Sequence, residues 1–163
     1  MDAFVQLLYE LADFDAIIRQ LKKPGIVQVS GCLDSQKAHF TNGLLREFPF
    51  RLIVAENDLK AKAFYEDFRL YDPEVLYYPA RDLIFYQADI HGNLLTRQRI
   101  QVLRALLERE EVTIVTSIDS CLDCLVPLAV WKEKVIKIRN DSEIDLDRMK
   151  RHLLELGYEW AAQ

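Results

Sequence analysis

The residues best placed to do chemistry lie between positions 31 and 38, after a short β-branched run and before an amphipathic segment. Gly31 and Lys37 have the spacing of a Walker A loop, G-x-x-x-x-G-K-S/T, between a strand and a helix. In such a loop the backbone N–H groups wrap the phosphates, and the lysine meets the outer phosphates. The spacing therefore points to nucleotide binding.

Three residues of the same segment argue against that chemistry. Gln36 replaces the second glycine, Ala38 replaces the hydroxyl that binds magnesium, and Asp34 places a carboxylate beside any bound phosphate. We therefore predict a degenerate Walker A loop, with no cofactor and no catalytic residue in this chain. Two alternatives stay open: an ordinary strand-to-helix turn that matches by chance, and a small active P-loop hydrolase or kinase whose ATP affinity depends on Lys37.

A second candidate is the pair Cys121 and Cys124, which has the C-x2-C spacing of half a zinc knuckle. No second pair follows it, and His152 is the only later side chain of a metal-binding type. Cysteines at such positions more often pack as small hydrophobic residues. We predict no metal site.

A third candidate combines aromatic and basic residues. Tyr77, Tyr78, Phe85 and Tyr86 precede a helical segment that carries three arginines, namely Arg97, Arg99 and Arg104. Stacked aromatics and arginines can hold single-stranded nucleic acid. The alternative is that the aromatics pack a long connection onto a sheet. The favoured interpretation is packing, with nucleic-acid binding by the arginines kept as an alternative function.

The overall composition limits the class of protein. The chain has 163 residues, of which 50% are hydrophobic, enough for one packed domain. Its formal net charge of −5 disfavours strong binding to a nucleic acid backbone. It contains neither the ~20-residue apolar run of a membrane-spanning helix nor a signal peptide. We expect a cytoplasmic location and no membrane partner.

The hydrophobic pattern predicts strands that alternate with helices, which favours an α/β fold with a parallel sheet flanked by helices. We expect an N-terminal helix over 3–22 within a segment 1–24, an α/β domain over 25–130, and the beginning of a truncated second domain over 131–163. The predicted strands are 26–29, 51–55, 74–78 and 112–115. The predicted helices between them are 36–48, a helix through Phe68 that Asn57 or Asp58 caps, and a helix through Leu107 that begins at Asn93 or Thr96. An extended stretch over 131–138 and a helix over 145–156, started by Asp141 or Ser142, complete the chain. We expect it to be a fragment of a longer protein.

The order of several motifs resembles the bacterial transcription-repair coupling factors. Residues 75–86 resemble that family's hydrophobic stretch followed by FPxWExLPYE, although Arg81-Asp82 stands where the family usually has Trp-Glu. The arginine-headed helix 97–107, the strand segment 112–122 and the Leu-Gly-Tyr of 156–158 follow in the family's order. Glu159 departs from the arginine often found after Gly-Tyr. The resemblance covers residues 25 to 163.

That resemblance implies a P-loop NTPase-like domain similar to domain 1a of the repair helicase UvrB, with a degenerate Walker A loop. It also implies a UvrA-contacting domain that begins near the end of this chain. The ATP-driven translocase motor and the domains that contact RNA polymerase and double-stranded DNA would lie further downstream. We therefore expect a non-catalytic scaffold that recruits UvrA through the adjoining domain and restrains the full-length translocase.

Overall fold

The structure, a computed structural model, describes residues 3–80, 89–136, 138 and 143–161. It divides into two compact units, one up to Cys124 and one from Leu125. The aromatic-basic stretch expected at Arg81, Asp82, Phe85 and Tyr86 lies outside the described residues.

The first unit is built on a parallel sheet of three strands: β1 (Phe50–Ala55), β2 (Leu76–Tyr78) and β3 (Val112–Ser117). Their order is β1-β3-β2. All six residues of β3 are buried, as expected for a central strand covered on both faces. The predicted parallel α/β fold is therefore confirmed, with β3 at its centre.

Helices cover both faces of this sheet. The unit contains α1 (Ala3–Gln6), a 3-10 turn (Leu7–Glu10), α2 (Phe14–Leu21), α3 (Asp34–Leu45), α4 (Asp58–Phe68), α5 (Asp89–Glu108) and α6 (Ile118–Cys121). On one face Val102 and Ala105 of α5 pack against β2 and β3. On the other face Ala61 and Phe68 of α4 pack with Ala38 and Val115. The sheet thus lies between α5 and the pair α3 and α4.

The single helix expected over 3–22 is wrong. Leu11 adopts an extended backbone with φ −75° and ψ 125°, which separates the 3-10 turn from α2. The break allows Leu8 and Phe14 to enter the same buried cluster. A straight helix buries only one continuous face, and these two residues, six positions apart, would not both lie on it. Gly43 of α3 lies so close to these two side chains that a Cβ there would collide with Leu8.

The strand expected over 26–29 is also wrong. Residues 26–30 form no strand, and the Ile26 side chain is 99% exposed. A β-branched run favours an extended backbone, but a strand also requires a neighbour to bond with, and the described part of the sheet ends at β1. The segment before Gly31 is therefore not the paired strand that precedes a working Walker A loop.

Smaller differences concern where elements begin. The cap of α4 is Asn57, whose side-chain oxygen accepts a hydrogen bond from the Lys60 N–H at 2.9 Å. Asn57 is one of the two residues predicted to cap this helix. The strand expected from Glu74 begins only at Leu76, and α5 begins at Asp89 rather than at 93 or 96.

The second unit contains α7 (Leu128–Lys134) and α8 (Leu146–Glu155). The extended stretch expected over 131–138 is wrong for residues 131–134, which belong to α7, whereas Val135 after the helix does adopt an extended backbone with φ −75° and ψ 119°. The helix expected near 145–156 is confirmed. Its cap is Asp145, not Asp141 or Ser142, since the Asp145 carboxylate accepts from the Asp147 and Arg148 N–H groups.

Candidate functional site at the carboxyl edge of the sheet

The parallel strands end together at one edge of the sheet. Ala55 of β1 lies opposite Ser117 of β3, and Tyr78 of β2 lies opposite Thr116. The Thr116 hydroxyl donates to the Tyr78 carbonyl at 2.8 Å, which ties two strand ends together. Ligands of open α/β sheets bind at this edge, so any site inherited from a nucleotide-binding fold belongs here.

Asp58, the first residue of α4, organises the edge. Its carboxylate accepts from the Ala80 N–H and from the Ser117 hydroxyl, each at 3.2 Å. The Ser117 hydroxyl lies 2.9 Å from that of Ser120 in α6. The Asp58 carboxylate thus joins the segment after β2 to the end of β3.

Tyr77 adds a further contact to Asp58. Its hydroxyl donates to the Asp58 carbonyl at 3.4 Å. Burial of the ring, followed by hydrogen bonding with the Asp58 side chain and by its charge, raises the pKa of Tyr77 well above its usual range. Tyr77 therefore remains a neutral donor at physiological pH and offers no base for proton transfer.

The predicted phosphate loop leads into α3, and its last residue, Ala38, packs in a cluster with Ile53 and Ala55 of β1. Gly31 has φ +89°, a left-handed conformation that favours glycine. The Gln36 side chain accepts from the Leu33 N–H at 3.3 Å and so closes the first turn of α3. Where a Walker A loop carries its second glycine, this chain has a side chain that bonds to its own backbone.

Lys37 is held by a carboxylate of its own helix. Its Nζ lies 2.6 Å from Asp34 Oδ1. The hydrogen bond with Asp34, and then the charge of Asp34, raise the pKa of Lys37, with a smaller contribution from Glu56. The same hydrogen bond lowers the pKa of Asp34, and the charge of Lys60 adds to the effect. The lysine that would meet phosphate is therefore already paired.

Ala38 faces the protein interior. Its side chain is buried and packs in one cluster with Ala61 and Phe68 of α4. At this position a Walker A loop has a hydroxyl directed at magnesium, whereas here the methyl group joins α3 to α4. Gln36, Lys37 and Ala38 thus all make contacts within the protein itself.

The three candidate arginines of α5 do not form a common surface. Arg99 is 6% exposed and donates to the Pro79 carbonyl at 2.8 Å. Its guanidinium also lies 2.9 Å from the Asp123 carboxylate. Arg97 is exposed, and Arg104 is exposed but pairs with Glu108 at 2.8 Å. Arg99 is therefore part of the interior and is not placed to meet a phosphate chain.

The cysteine pair lies in and just after α6. Cys121 and Cys124 are exposed free thiols. Within the described ranges no group of three His, Cys, Asp or Glu side chains could hold a metal ion. No helix in the same ranges is long and apolar enough to cross a membrane.

The sequence predicts Asp58 only as a possible helix cap and assigns no role to Ser117, Ser120 or Asp123. The signal was present, because Ser117 ends the buried strand β3 and Asp58 closely follows the strand β1, at the edge where parallel strands place their polar residues. It was obscured by the phosphate-loop spacing at 31–38, which is the stronger pattern in the linear sequence.

Comparison with known proteins supports the order of motifs described above. The chain is 28% identical over 164 residues to a transcription-repair-coupling factor of Bacillus subtilis, a match that covers 98% of the chain and 14% of that protein. It is 29% identical over 143 residues to UvrABC system protein B of Treponema denticola, covering 88% of the chain and 20% of that protein. For UvrABC system protein B of Thermosipho africanus the identity is 31% over 111 residues, covering 68% of the chain and 16% of that protein.

The chain spans a fifth or less of the length of these relatives. No protein-family model matches it. Both kinds of relative are DNA-repair proteins, and both match most of the chain, as the resemblance implies for a region shared between them. The chain is therefore a UvrB-like module, homologous over most of its length to the transcription-repair-coupling factors and to UvrABC system protein B, consistent with a UvrB-homology region of the former.

Proposed function

We propose that the chain is a non-catalytic scaffold from the N-terminal region of a transcription-repair coupling factor, and that its loop 31–38 is a Walker A loop that has lost nucleotide binding. The observation that carries the proposal is the pairing of Lys37 with Asp34 at 2.6 Å. A phosphate approaching Lys37 must displace a carboxylate that the same helix supplies, and it meets the repulsion of that carboxylate as well.

The environment of the loop supports the same conclusion. Ala38 is buried among α4 side chains, so no hydroxyl reaches the loop from that position. Residues 26–30, which would form the strand before the loop, are unpaired. Without that strand the loop backbone lacks the rigid support that directs its N–H groups to phosphates.

Titration calorimetry with Mg-ATP tests the loss of nucleotide binding. We compare the native chain with Lys37→Ala and with a restored loop carrying Asp34→Gly, Gln36→Gly and Ala38→Thr. The native chain and Lys37→Ala should both give no binding heat at millimolar ATP. Binding by the native chain that disappears in Lys37→Ala would overturn the proposal in favour of an active P-loop hydrolase or kinase.

The cellular role that we propose is recruitment. Residues 131–163 would form the beginning of a UvrA-interaction domain, and they lie within the second compact unit, which begins at Leu125. The module would also restrain the ATP-driven translocase of the full-length protein, whose contacts with RNA polymerase and double-stranded DNA belong to other domains. The support is homology to both transcription-repair-coupling factors and UvrABC system protein B.

A capture experiment with purified UvrA tests recruitment. The bait is either this chain or a longer natural protein that contains it, and the control bait is an unrelated acidic domain of similar size. We expect capture by the longer protein, and weaker capture by the chain alone. Capture by neither bait would contradict the recruitment role while leaving the nucleotide result unaffected.

A further inference from the structure

Arg99 lies at the meeting point of three parts of the first unit. It belongs to α5, its Nη1 donates to the Pro79 carbonyl after β2, and the same nitrogen lies 2.9 Å from Asp123 Oδ2 after α6. Its guanidinium carbon is 4.2 Å from the centre of the Tyr78 ring, within the range of a cation–π contact. One buried cation therefore contacts a carbonyl, a ring and a carboxylate from separate segments.

The position of Asp123 gives this cluster its significance. Asp123 is the next-to-last residue of the first unit, which ends at Cys124. We name residues 118–124 the exit segment, because the chain passes through them on leaving the sheet. Side-chain contacts tie this segment to the rest of the unit near both of its ends, through the Ser117–Ser120 hydroxyl contact at the start of α6 and through the Arg99–Asp123 ion pair.

The burial of the two partners is unequal. The Arg99 side chain is 8% exposed, whereas that of Asp123 is 28% exposed. A buried guanidinium that loses its carboxylate becomes an uncompensated charge, which is strongly unfavourable. Asp123 is the partner closer to solvent, whereas Arg99 lies between Tyr78, Pro79 and Asp123.

We propose that Arg99 is a positioning residue that anchors the exit segment through Asp123, and that this ion pair decides whether the chain leaves the first unit in an ordered or a mobile conformation. The intact pair orders residues 118–124, and loss of the pair increases their mobility while β3 keeps its structure. The proposal is independent of the UvrA and nucleotide hypotheses, since it concerns only contacts within the first unit.

The test uses Asp123→Asn in the full chain, with Asp119→Asn as the matched control. Asp119 is an exposed acid in the same segment, so its replacement makes the same change of charge. Amide hydrogen exchange is followed in residues 118–124, in β3 and in α4. We expect exchange in the exit segment of Asp123→Asn to rise roughly tenfold or more, with less than about a twofold change in the control.

A second readout follows a spin label on Cys124 in a Cys32→Ser, Cys121→Ser background. Label mobility should rise in Asp123→Asn and in Arg99→Gln, and Asp123→Glu should restore much of the native spectrum. An unchanged spectrum and unchanged exchange in Asp123→Asn would overturn the proposal. So would a rise in exchange shared equally by β3 and α4, because that result would mean general destabilisation rather than release of the exit segment.

Discussion

Lys37 Nζ lies 2.6 Å from Asp34 Oδ1, so the lysine that has the spacing of a Walker A lysine is paired with a carboxylate three residues earlier. Both groups are exposed, and the pair contributes little to folding stability. Its importance is local, because it neutralises the one cation of residues 31–38.

The first prediction concerns the titration of Asp34. Lys37→Ala removes the hydrogen bond that lowers the pKa of Asp34, so that pKa should move up toward its ordinary value. The small stability that the pair contributes is fully present above the unfolded-state pKa of Asp34. It is lost as the pH falls through the lowered pKa of Asp34 in the folded chain. Carboxyl NMR titration measures the shift. Lys62→Ala, an exposed lysine of α4, serves as the control and should leave the Asp34 pKa unchanged.

The second prediction concerns Asp58. Asp58→Ala should lower the free energy of unfolding by about 1–3 kcal/mol, because the Ala80 N–H and the Ser117 hydroxyl lose their acceptor. Urea unfolding followed by circular dichroism measures the change. Asp67→Ala, at an exposed position of the same helix, should change stability by less than about 0.5 kcal/mol. Equal effects at both positions would contradict the role assigned to Asp58.

The third prediction concerns Gly43. An alanine in place of glycine normally stabilises a helix, but a Cβ at Gly43 would collide with Leu8 and press against Phe14. Gly43→Ala should therefore destabilise the protein by about 1–3 kcal/mol. The additional replacement Leu8→Ala should recover part of the loss in thermal unfolding if the collision is the cause. A stabilised Gly43→Ala variant would show that α3 is not packed against this cluster.

The fourth prediction concerns the core beneath α4. Phe68 is fully buried beside Ala61 and Val115, so Phe68→Ala should cost about 3–5 kcal/mol. Leu59 lies in the same helix and is 82% exposed, and Leu59→Ala should have almost no effect. Chemical denaturation of both variants gives the comparison. Similar losses would mean that α4 presents a different face to the sheet.

The sequence by itself determined the fold class and the family that the chain resembles. The apolar run 112–115 predicts a buried strand, and the alternation of strands and helices predicts a parallel sheet, because local periodicity reports which faces are apolar. Gln36 and Ala38 also predict a loop that does not bind nucleotide, since they replace the second glycine and the magnesium-binding hydroxyl of a Walker A loop.

Only the tertiary structure decided which local patterns are realised. Residues 26–29 have the composition of a strand but no neighbour, and Arg99 looks like a surface cation but lies between Tyr78 and Asp123. Likewise Ala38 is buried because α4 packs on it. Strand pairing and the burial of a charge depend on segments far away in the chain, so periodicity along the sequence carries no information about them.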